Sequence, residues 1–129
     1  MIEIVGTRDL ITASKKVVSI EIGKPEKRKE DEFACPFQVN GLGDSRLQYA
    51  YGMDAIQALV MALDGIRVTL EKNGESVTWL GGDEGEHGIP RFVPQFFGAG
   101  FSKHIELIID KEIALFAERA QEKAKKDFK

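Results

Sequence analysis

Two histidines and a group of carboxylates are the first residues that invite a chemical reading. Asp83, Glu84, Glu86 and His87 fall within five positions, and His104 follows further along. Carboxylate oxygens and imidazole nitrogens are common donors to divalent cations. These five residues form the candidate metal set, and a metal-dependent or small-molecule enzyme built on them is one functional alternative. Their spacing matches no established ligand motif, and glycines flank the loop on both sides. An acidic surface loop is the plainer explanation.

Other chemical readings are weaker. Cys35 with a histidine is a nucleophile–base combination in principle. It shares a strand face with Phe33 and Phe37, however, which points to a buried, inert thiol. Gly41-Leu42-Gly43-Asp44 and Gly81-Gly82-Asp83 lack the spacing and the Lys-Ser/Thr of a phosphate loop. Both read as turns. No catalytic residue is assigned, and no cofactor is expected.

The least usual stretch lies between Arg91 and Phe101. Four of the eight phenylalanines, Phe92, Phe96, Phe97 and Phe101, fall in ten residues there. Such a cluster either plugs one end of a core or stays exposed as an interaction surface. Aromatic residues and arginine are common anchors of protein interfaces. Arg91, Phe92, Phe96, Phe97 and Phe101 are therefore the candidate partner-binding residues.

The elements that must position these residues follow from periodicity. Val18, Ile20 and Ile22 alternate with polar residues, as in a half-buried strand. Ile2 and Ile4 begin a less regular one, which Gly6 weakens. Residues 24–32 are charged at every position but Pro25, and read as a solvated loop. Phe33, Cys35, Phe37 and Val39 then share one strand face, and Leu47, Tyr49 and Tyr51 share a face of the next. Pro36 has no N–H to give a ladder, so its strand is expected at an edge or bulged.

A helix is expected over about 54–72. Asp54 caps it, Gln57 completes the capping box, and Asn73-Gly74 stops it. Ile56, Leu59, Val60, Leu63, Ile66 and Leu70 repeat at helical spacing, beside a small-residue strip of Ala58, Ala62 and Gly65. Residues 76–80 are a short strand candidate, and 81–100 a long connection. A second helix is expected over about 102–126, with a strand from 101 to 109 as the alternative. The fold class is α+β: an antiparallel meander sheet of four to five strands, one long central helix and a C-terminal helix, in a single domain over 1–129.

Composition narrows the function classes. Eighteen Lys and Arg stand against 21 Asp and Glu, interspersed along the chain, for a net charge of −3. Nucleic-acid binding needs clustered positive charge, so it is not expected. No apolar run approaches the roughly 20 residues of a membrane helix. A single cysteine suits a reducing, cytoplasmic setting.

Cys35-Pro36-Phe37, Gly41-Leu42-Gly43, Gly52-Met53-Asp54-Ala55-Ile56-Gln57-Ala58-Leu59 and Ala62-Leu63, in that order, resemble a group of small uncharacterised bacterial proteins, a domain of unknown function. Gly88-Ile89-Pro90-Arg91 matches a further string in that group. The resemblance implies a shared fold and a bacterial origin, and it assigns no site residues. Members of such groups sometimes lie near toxin genes.

The expected function is accordingly a non-enzymatic protein-binding module, of the kind that acts as immunity protein or inhibitor of a bacterial toxin. Its partner is another protein, or itself as a homodimer. The alternatives are the enzyme described above and a structural homo-oligomer.

Overall fold

A computed structural model describes residues 2–93 and 97–127. In chain order the elements are β1 (Ile4–Thr12), β2 (Val17–Gly23), β3 (Glu26–Lys29), β4 (Glu32–Asn40), β5 (Gln48–Gly52), α1 (Ala55–Lys72), β6 (Val77–Trp79) and α2 (Ala99–Asp127). They divide into two compact units, Met1–Arg91 and Phe92–Lys129. The fold is α+β, with every strand pairing antiparallel.

The first unit is a six-stranded sheet with α1 packed on it. β1, β2, β4 and β5 lie side by side in chain order, and β6 returns to pair with β1 at the opposite edge from β5. The connection through α1 therefore carries the chain from one side of the sheet to the other. The irregularity expected near Gly6 is present: the β1–β2 register shifts between Ile4 and Gly6.

The charged run 24–32 is not a loop. Residues Glu26–Lys29 form β3, which turns through Glu30-Asp31 and pairs with the start of β4. Every β3 residue is exposed. The charges thus correctly mark a solvated segment, but a strand is held by its main chain and needs no buried side chain.

β4 is the hub of the sheet. It pairs with β5 through residues 33–37, with β2 through 37–40 and with β3 through 32–34. On the β2/β3 side the ladder skips residues 35 and 36. Pro36 sits in that gap, where three residues, 23–25, stand opposite two, so the strand is central rather than at an edge and the ladder is bulged at Pro36, the second of the two expected placements. Gly23 opposes it; a Cβ there would lie 2.5 Å from Pro36 Cγ.

The Asp54 cap forms as expected, and the Gln57 side chain reaches back one residue further than the N-cap, to Met53. Asp54 Oδ1 accepts the Gln57 N–H at 2.7 Å, and Gln57 Oε1 accepts the Met53 N–H at 2.6 Å. The buried seam of α1 is Ala58, Ala62, Ile66 and Leu70. Ile66 and Leu70 belong to the expected large apolar face. Leu59 of that face packs against the core half-buried, the other buried positions come from the small-residue strip, and Ile56 is 75% exposed. A Cβ on Gly65 would stand 3.1 Å from Phe37 Cζ, so the axis runs too close to β4 for bulk at these positions. Against this seam lie Leu10, Val18, Ile20, Cys35, Phe37, Val39 and Val77.

The second unit contains α2, which is helical throughout the 101–109 stretch for which a strand was the alternative. Its 29 residues span about 43 Å at 1.5 Å per residue. None of its side chains is buried.

Candidate functional site

The acidic segment after β6 is ordered by its own main chain. Trp79 N–H donates to the Glu86 carbonyl at 2.9 Å, Gly82 N–H to the Trp79 carbonyl at 3.0 Å, and Glu86 N–H to the Asp83 carbonyl at 2.9 Å. Gly81, Gly85 and Gly88 supply the positive φ values, 80°, 87° and 78°, that fold the chain back so tightly. The acidic side chains serve this turn. Glu86 Oε2 accepts the Asp83 N–H at 3.1 Å, and Glu84 Oε1 accepts the Ser76 hydroxyl at 3.1 Å. His104 is an exposed residue of α2, in the other unit. Among the described residues, no three His, Cys, Asp or Glu side chains gather to hold a metal ion.

His87 turns away from these carboxylates toward α1. Its Nε2 lies 3.2 Å from Glu71 Oε2, and its Nδ1 accepts the Ile89 N–H at 3.0 Å. A neutral imidazole has one donor and one acceptor nitrogen, so the Ile89 bond places the proton on Nε2, directed at Glu71. Arg67 binds the other Glu71 oxygen at 3.0 Å and Asp64 at 2.9 Å. Only 13% of the His87 side chain is exposed. Beside it, Arg8 lies 3.6 Å over the Trp79 ring and donates to the Gly88 carbonyl at 3.0 Å.

Cys35 is completely buried, and burial pushes its thiol above the usual range. Its Sγ–H points to the Gly23 carbonyl at 3.5 Å. A thiol held in its protonated form is a poor nucleophile.

The aromatic candidates fall into different settings. Arg91 is exposed and Phe92 half-buried; Phe96 lies outside the described residues. Phe97 is 72% exposed and stacks at a tilt on Phe101, with ring centroids 5.3 Å apart. From Phe101 the exposed apolar residues continue along α2 through Ile108, Ile109 and Phe116, the last 64% exposed. At 100° per residue, Phe101, Ile105, Ile108, Ile109 and Phe116 fall on one side of the helix. No helix among the described residues is long and apolar enough to cross a membrane.

A protein-family model matches residues 6–91, two thirds of the chain; its description is a domain of unknown function, DUF6968. The chain belongs to this family. No curated protein and no solved structure matches it. The DUF6968 region ends at Arg91, the residue at which the first compact unit also ends. It contains Asp83, Glu84, Glu86, His87 and Arg91. Phe92, Phe96, Phe97, Phe101 and His104 lie beyond it.

Several notable residues of the DUF6968 region carry no local sequence signal. Glu71, Arg67, Arg8 and Trp79 are brought to the strap around Gly88 only by the fold. Tyr49 and Tyr51 pair with Pro36 and Ala34, and so face away from the side of β4 that meets α1. Arg28 of β3 lies 5.0 Å over the Tyr49 ring. Strand alternation shows that the tyrosines share a face; only the register shows which face it is.

Proposed function

We propose that the protein is a non-enzymatic protein-binding module and that α2 is its docking element. The observation that carries this reading is the run of apolar side chains along one side of a 29-residue helix that buries none of its residues. Contiguous exposed apolar surface is costly in water and marks interaction sites. An amphipathic helix laid into a partner's groove is a common recognition mode. Phe97 and Phe101 extend the stripe at its N-terminal end, in keeping with aromatic anchors.

The partner class is another protein. An immunity or inhibitor partner of a bacterial toxin belongs to it, and a second copy of the chain is the alternative occupant. The resemblance to small bacterial proteins supports a bacterial source, and the single buried thiol suits the cytoplasm. The enzyme reading draws no support from residues 83–87, where Glu84 and Glu86 hold the turn and His87 is tied to α1.

Affinity capture from the source organism tests the module, using the full chain and an Ile109→Ser/Phe116→Ser variant. Unchanged Trp79 emission certifies the fold of the first unit in both. A specific partner, retained by the wild type and lost by the variant, is the expected result. Equal capture by both chains, or none by the wild type, removes α2 as the docking element. Size exclusion with light scattering identifies a second copy as the partner if the mass is dimeric and the variant monomeric.

A further inference from the structure

We infer that His87 is an acid-released latch on the strap from Gly88 to Arg91. The inference is independent of the docking role of α2. The neutral ring offers the lone pair of Nδ1 to the Ile89 N–H at 3.0 Å and directs Nε2–H to Glu71 Oε2 at 3.2 Å. A protonated imidazole carries hydrogen on both nitrogens. The Ile89 N–H then faces a second donor, and turning the ring over presents the same problem. That hydrogen bond cannot survive protonation.

The same proton turns the Glu71 contact into a charge-assisted pair. His87 is thereby held on α1 while the strap loses one of its ties. Pro90 has no N–H, which leaves the strap few main-chain donors to replace the one at Ile89. Ile89 itself packs against the core of the first unit. The charged groups around the latch come from three segments. Glu71 reaches it from α1, with Arg67 on its other oxygen. Arg8 reaches from β1 to the Gly88 carbonyl. Glu86 precedes His87 in the chain, and its carboxylate is engaged by the Asp83 N–H. Arg8 is a fixed cation, and its hold on Gly88 does not depend on the proton. Acidification therefore loosens the main chain at Ile89 selectively, while the Ile89 side chain stays packed on the core.

Amide hydrogen exchange of the full chain, followed by NMR from about pH 8 to 5, tests the latch. The His87 ring-proton shifts give its titration, and the amide of Ile20 in β2 serves as the reference. After correction for intrinsic exchange, protection of the Ile89 amide is expected to fall about tenfold relative to Ile20 as His87 protonates, the effect of one hydrogen bond. His87→Gln keeps an acceptor for Ile89 and a donor for Glu71 without titrating, so its Ile89 protection is expected to be flat. Protection that stays constant through the His87 titration overturns the inference. So does a pH dependence that persists in His87→Gln. If that variant does not fold, the wild-type titration decides alone.

Discussion

Glu75 follows α1 and reaches back to the turn between β1 and β2. Its carboxylate accepts the Ser14 N–H. Hydrogen bonding to Ser14, through the side chain first and the main chain second, holds the Glu75 carboxyl below its usual 4.5. A depressed native pKa stabilises the fold above the unfolded value, and that contribution disappears as pH falls through the native one. The urea midpoint of the wild type is therefore expected to drop on acidification below about pH 4.5. Glu75→Gln removes part of this drop and leaves the share due to Asp44, which Arg46 lowers in the same sense. Parallel acid profiles for the two proteins would disprove the role of Glu75. Residue types alone nominated the acidic loop as a metal site. They could not reveal that Glu84 and Glu86 are taken up by Ser76 and Asp83, because those bonds exist only once the turn has formed.

At the level of elements, α1 gives a clear test of which face is packed. Ala62 lies in the seam and is fully buried, whereas Ile56 is largely exposed. Ala62→Leu is expected to destabilise by about 1–3 kcal/mol through overpacking. Ile56→Ser is expected to stay within about 0.5 kcal/mol. Denaturant melts of the two variants check both, and the opposite ranking would mean that α1 packs on its larger side chains. The helix itself was legible: its period, its cap at Asp54 and its stop at Asn73 are all written locally. Its buried face was legible only in part. Large apolar side chains draw attention, but close approach to Phe37 selects alanine and glycine, and the space between two elements is not written in either one. β3 was illegible for a related reason. Its charged residues satisfy every rule for a solvated loop, and only main-chain pairing to β4 makes it a strand.

For the whole molecule, the boundary at Arg91 is the decisive feature. The core residues all lie between Leu10 and Val77, with Leu42, Ile89 and other partly buried neighbours around them. Residues 1–91 alone are expected to unfold cooperatively and to keep the Trp79 emission of the full chain. A truncated chain lacking a cooperative transition would show that α2 contributes to the fold rather than to a partner.

The pairing of β6 with β1 has a kinetic consequence. It joins Thr12 to Val77, whereas β1–β2, β3–β4 and β4–β5 are hairpins between chain neighbours. Closing so long a loop costs entropy that only a largely assembled sheet and helix can offset. β6 is therefore expected to join last. Trp79, the only tryptophan, sits on it. Its fluorescence during refolding consequently times the completion of the sheet, while circular dichroism in the far ultraviolet times its start.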